Sequence, residues 1–206
     1  MSDDLDTWER VPGPLIECDP RWYDRLGSGW HDEAWRDPWV FRAEDGSFHA
    51  LITARTRSGR RFDRGCIAHA RSGDLLQWEV LPPITSPGGF GQLEVPQMHR
   101  VGDDWCLVFC SDVETQSSDR RSAGVGTGTF YAMGASPFGP FDVARAKPLQ
   151  ADPRGSGYAG RLIEHGGTQL MSWRRTGGDG RFIGEIADPV RVTRSASALS
   201  AQWVAQ

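Results

Sequence analysis

Two carboxylates are candidates for chemistry, one of them in a setting where a turn Asp would be out of place. Asp37 lies in Trp35-Arg36-Asp37-Pro38-Trp39, an apolar run rather than a polar turn, although Asp-Pro pairs elsewhere (19–20, 152–153 and 188–189) read as turn initiators. Glu94 lies in Gly91-Gln92-Leu93-Glu94-Val95-Pro96-Gln97, 57 residues further on. Carboxyl groups held among apolar side chains are suited to proton transfer and to holding hydroxyls, because burial and neighbouring charge move their affinity for protons. Arg36 and Gln92, beside them, are candidate substrate contacts. So are Trp35 and Trp39 as stacking platforms, together with Trp30, although most of the nine Trp suit packing equally well. His69, in GCIAHARS, and Tyr158 and Arg161, in SGYAGRL, complete the candidate set. His31, His49, His69, His99 and His165 lack metal-ligand spacing, so no metal site is expected. Gly124–Gly128 lacks the Lys and following helix of a phosphate loop.

The elements that position these residues are short. Gly (25) and Pro (13) punctuate the 206 residues about every ten positions. Between them lie β-branched and aromatic runs at 34–41, 48–54, 65–70, 77–81, 93–98, 104–109, 128–133, 161–165, 168–173 and 181–186. Such runs bounded by turn residues predict strands, and no long window carries an apolar stripe at helical spacing. SDDLDTWE (2–9) and SGDLLQWE (72–79) share Ser, Asp, Leu, Trp and Glu at matching positions. Ser and Asp close a turn on the backbone, and Leu and Trp are expected to pack between neighbouring sheets. A repeat at 70 residues in an all-β chain predicts a β-propeller of four-stranded blades, with units at 35–84, 92–144 and 157–194. The domain is expected over 1–194, with 195–206 as a tail or closing segment. About three blades cannot close a ring. The expectation is therefore the C-terminal part of a larger propeller, or a partial one that self-associates through exposed blade edges.

Composition narrows the partners. The net charge of −4 argues against nucleic acid, and the longest apolar run, Trp105–Cys110, is far too short for a membrane helix. The four Cys form no CxxC pair and the acidic N-terminus shows no signal peptide, so a cytoplasmic protein with reduced thiols is expected.

The Arg36-Asp37-Pro38 strand and the Glu94-Val95-Pro96 segment resemble the Arg-Asp-Pro and Glu-Cys-Pro segments of the β-fructosidase-like glycoside hydrolases, families 32 and 68, related to family 43. The two Ser-x-Asp-Leu-x-x-Trp turns and Ala135–Phe141 resemble blade segments of the same clan. The resemblance implies a five-bladed propeller and a carbohydrate substrate cleaved or transferred by a retaining mechanism, with no cofactor. It makes Glu94 the acid/base and Asp37 the residue that holds sugar hydroxyls and stabilises the oxocarbenium-like transition state, with Arg36 tuning charge. Strict strand alternation would keep Arg36 and Asp37 from both pointing into the channel. Val95 replaces the family's Cys, and no segment matches its nucleophile, so a chain lacking that carboxylate is expected. A non-catalytic carbohydrate-binding or interaction propeller stays open as an alternative, as does a fragment that folds only with another chain.

Overall fold

The computed structural model describes residues 1–12, 16–195 and 198–201. Thirteen strands among them form three antiparallel sheets. The first is β1 (Arg36–Arg42), β2 (Phe48–Arg55), β3 (Gly65–Ser72) and β4 (Trp78–Leu81), in chain order. The second, also in chain order, is β5 (Glu94–Val101), β6 (Asp104–Ser111), β7 (Thr127–Gly134) and β8 (Lys147–Asp152). In the third, β9 (Gly157–Glu164) pairs β10 (Thr168–Thr176). The other edge of β10 is shared by β11 (Phe182–Ile186) and β12 (Val190–Arg194), and β12 pairs β13 (Leu199–Ala201). The second unit thus runs on past residue 144 into β8. β13 lies in the expected tail, the remainder of which falls partly on residues outside those described. The chain is an all-β arc of three propeller blades, and among the described residues no helix is long and apolar enough to cross a membrane.

Apolar side chains cement the arc at two seams. Leu51 and Ile67 of the first sheet meet Met98, Leu107, Phe109 and Phe130 of the second. Cys106, Val108, Tyr131 and Leu149 on the opposite face of the second sheet meet Leu162, Leu170 and Leu199 of the third. The seam between the second and third sheets also carries a polar clamp. Gln97 Nε2 donates to Leu162 O (2.7 Å) and its Oε1 accepts from Leu162 N (2.8 Å), both buried. The outer face of the first sheet (Ala50, Ile52, Ala68, Ala70) is covered by Cys18 and Tyr23 of the segment before β1. The four cysteines are free and buried.

One sheet face is left open. Leu51, Val108 and Met171 occupy the same register on β2, β6 and β10, opposite Trp39, Gln97 and Arg161. Leu51 and Val108 are fully buried in the seams, whereas Met171 is half-exposed, as is Trp173. Beside them Phe182 and Ile186 of β11 are 72% and 75% exposed.

The two repeat turns are the same structure. Leu5 N donates to Ser2 Oγ (2.8 Å) and Leu75 N to Ser72 Oγ (2.9 Å). Asp4 and Asp74 each accept from two backbone N–H groups, and each indole N–H donates to the Leu carbonyl of its own turn at 3.0 Å. Their expected packing differs from what is found. Leu5 and Trp8 are 75% and 66% exposed, and only Trp78 lies against the first sheet's outer core. The turn geometry is made from bonds within seven residues, so it forms without burying its apolar members.

Candidate functional site

Each innermost strand opens with the same irregularity. Between Arg36 and Trp39, between Glu94 and Gln97, and between Tyr158 and Arg161, two residues face one on the partner strand. The extra residue in each bulge is in the left-handed region without being glycine: Asp37 (φ 56°), Val95 (φ 51°) and Ala159 (φ 52°). That conformation costs on the order of 1 kcal/mol or more for a residue with a Cβ, and bulges re-aim side chains near active sites. Here they break strict alternation, so the expectation that Arg36 and Asp37 cannot both face the same way is corrected. Both reach the start of β5.

The residues preceding the bulges, Arg36, Glu94 and Tyr158, meet at one point. Arg36 Nη2 donates to Glu94 Oε1 at 2.6 Å, and the Tyr158 hydroxyl donates to Glu94 Oε2. Asp37 Oδ2 accepts from Val95 N (3.2 Å) and from Thr53 Oγ1 (3.1 Å), and lies 3.8 Å from Arg36 Nε. Burial works against the Arg36 charge, but Glu94, then Asp32 and Asp37, outweigh it and hold the guanidinium above its ordinary affinity for protons. Burial, then the Glu94 charge, pushes the Tyr158 hydroxyl well above the usual phenol range, so it stays protonated and serves as a donor. Glu94 is therefore fixed by one neighbour from each flanking blade while remaining partly exposed.

Gln92 joins the cluster: with its amide oxygen toward them it accepts from Arg36 Nη2 (3.0 Å) and Trp30 Nε1 (3.1 Å). Gly91 beside it has no room for a side chain, since a Cβ would stand 2.6 Å from Thr115 O and 3.1 Å from the Trp30 ring. Arg161 reaches the same region, donating to Pro96 O (2.6 Å) with its guanidinium 5.3 Å from the centre of the Trp39 ring. Trp39 packs into the first seam.

Other candidates are placed elsewhere. Trp35 donates to Ile16 O (3.0 Å) and packs on Tyr23 over the first sheet's outer face. Trp30 is buried, its ring 3.6 Å from the Arg55 guanidinium carbon. His69 stands on β3, two strands out from β1, against His49 and Phe138. Its place in GCIAHARS puts it on a strand, but a strand away from the axis.

Asp32 was not foreseen. It takes a hydrogen bond from Arg36 Nη1 (3.1 Å), so three carboxylates surround one guanidinium. Its spacing of four residues before Arg36 was the available signal. Arg175, bound to Asp112 (3.1 Å) and 5.8 Å from the centre of the Tyr158 ring, was missed as well, because 63 residues separate the pair. Among the described residues no group of three or more His, Cys, Asp or Glu is arranged to hold a metal ion. An open surface depression of about 650 Å³ lined by Tyr23, Asp24, Arg25 and Arg57 shares no residue with the cluster.

The fold is that of the β-propeller glycosidases of the β-fructosidase type. Among solved structures the chain is similar to an inulosucrase from Halalkalicoccus jeotgali bound to kestose (TM-score 0.74, 20% identity, 97% of this chain and 58% of that one). It is also similar to a levansucrase from Gluconacetobacter diazotrophicus (0.71, 17%, 92% and 49%). A β-fructofuranosidase catalytic domain from Microbacterium saccharophilum K-1 gives 0.69, 16%, 86% and 47%. The chain thus spans 58% or less of each of these structures. No protein-family model and no curated protein matches the sequence.

Proposed function

We propose that the chain is part of a retaining, fructosyl-acting glycoside hydrolase or transferase, with Glu94 as acid/base and Asp37 as the group that holds substrate hydroxyls. The observation that carries this reading is the fixing of Glu94 between Arg36 and Tyr158, one strand start from Asp37, in a fold shared with enzymes that include a kestose-bound inulosucrase. In the proposed first step Glu94 gives its proton to the leaving glycosidic oxygen while a carboxylate attacks the anomeric carbon. In the second, Glu94 takes a proton from water or an acceptor hydroxyl, which displaces that carboxylate. The nucleophile is assigned to polypeptide completing the ring beyond these three sheets; their coverage of 58% of the inulosucrase supports this. A cytoplasmic setting belongs to the same reading, supported by four unpaired thiols. So does self-association, supported by the open face of the third sheet around Met171 and Ile186.

Turnover of sucrose, fructans and aryl glycosides by the chain together with the polypeptide that completes the ring tests the proposal. Wild-type turnover that falls at least about 100-fold in Glu94→Gln is expected; turnover unchanged by that substitution refutes the assignment. Sugar binding by calorimetry without any turnover would instead favour the carbohydrate-binding alternative, to which the missing nucleophile match also points. Sedimentation that gives 22.8 kDa at every concentration would remove self-association.

A further inference from the structure

On the outer half of the first sheet, four polar side chains form a line that the proposed chemistry does not use. Asp45 Oδ1 is 2.5 Å from Ser47 Oγ, Ser47 Oγ is 3.0 Å from His49 Nε2, and His49 Nδ1 is 2.7 Å from His69 Nε2. Ser47, His49 and His69 are buried, while Asp45 lies at the surface, paired with Arg71 at 2.9 Å. Phe138, from the β7–β8 connection of the second sheet, covers both imidazoles with ring centres 4.5 and 5.7 Å away, and Phe41 stacks on His49 at 5.5 Å. The line therefore sits where a loop of the second blade is pinned on the first.

The donors can be assigned along the whole line. Asp45 is a carboxylate, so the Ser47 hydroxyl donates to it and its oxygen is left to accept from His49 Nε2–H. His49 Nδ1 is then bare and accepts from His69 Nε2–H. Both rings are neutral Nε2–H tautomers, and every proton points toward Asp45. The order Ser–His–His would suit an activated nucleophile, but Asp45 holds the serine proton and Phe138 closes over the base, so the arrangement is not hydrolytic.

We propose that the Asp45–Ser47–His49–His69 line is an acid-sensitive latch, which holds the Phe138 loop on the first sheet only while both imidazoles are neutral. A proton added to His49 Nδ1 removes the acceptor on which His69 depends and sets positive charge near the Arg71 guanidinium. The charged or titratable groups facing the pair are Asp45 and Arg71, with Glu79 across the strand from Arg71 and the Tyr23 hydroxyl at the His69 N–H (3.3 Å). Asp45 contacts the rings only through Ser47. Burial, then its partner imidazole and Arg71, pushes His69 down to about 4, and burial also lowers His49. The unfolded chain thus takes these protons at higher pH than the native one. Stability is complete above pH 6.5 and is lost as pH falls toward 4, with the folding equilibrium constant dropping on the order of 100-fold through His69 alone.

Urea unfolding from pH 7.5 to 4 tests this on wild type and on His69→Gln, which keeps a donor to His49 without titrating. The wild type is expected to lose about 100-fold more of its folding constant than the variant across pH 6.5 to 4; parallel curves overturn the proposal. Should His69→Gln not fold, nitrogen NMR of the wild-type rings decides. A neutral Nε2–H ring of His69 at pH 5.5, with the Phe138 ring shifting below pH 5 while Trp173 does not, is expected. Either ring titrating near 6.5 refutes the latch.

Discussion

Replacing Gln97 by leucine separates the polar clamp from the apolar seam around it. Gln97 is 3% exposed, and its amide makes both available hydrogen bonds to the backbone of Leu162. Those Leu162 groups point away from β10, so no strand partner takes them over when the amide is gone. Each orphaned buried group costs about 1–3 kcal/mol, while the new leucine returns about 1–2 kcal/mol through apolar burial. The net expected loss is about 2–3 kcal/mol, or a fall in Tm of roughly 5–10 °C for a chain of this size. Urea and thermal unfolding followed by circular dichroism measure it, and the m-value should stay constant. Gln97→Glu, which sets a buried carboxylate oxygen against the Leu162 carbonyl, should cost more than Gln97→Leu at neutral pH. A loss under about 1 kcal/mol for Gln97→Leu would mean that water or a backbone shift satisfies Leu162, and that the clamp does not hold the second and third blades together.

Other outcomes follow from the same geometry. Ala159 pays for a left-handed φ of 52° with no large side chain to pack, so Ala159→Gly should raise stability by roughly 0.5–1 kcal/mol in urea unfolding. Any loss would show that the methyl group packs. The repeat turns should respond unequally to truncation: Trp8→Ala within about 0.5 kcal/mol of wild type, Trp78→Ala costing more than 1 kcal/mol. Equal costs would contradict the burial difference. Burial holds the Cys18 and Cys110 thiols up at about 11 and Cys106 at about 12. At pH 8 a disulfide reagent should therefore label the chain only after unfolding, and prompt labelling of the native protein would show that these thiols are open.

The sequence by itself determined what is made from neighbours. The Ser-x-Asp-Leu-x-x-Trp turns repeat bond for bond because all their hydrogen bonds close within a few residues. The strands at 48–54, 65–70 and 104–109 were legible because both their faces are buried and apolar. β8 (KPLQAD) and β12 (VRVTR) were not, since their polar residues mix with apolar ones as in a loop. Asp37 and Glu94 could be picked out, but their geometry could not. Asp37, Val95 and Ala159 are not glycines, and nothing local marks them as left-handed; the bulges exist because the surrounding sheets hold them. Glu94 meets Arg36 across 58 residues and Tyr158 across 64, so only the arrangement of three blades around one axis brings these contacts together. For the same reason Asp32 entered the site unannounced and His69 left it. Turns are decided by bonds to near neighbours, whereas the site is decided by which strand starts the packing of the sheets makes adjacent.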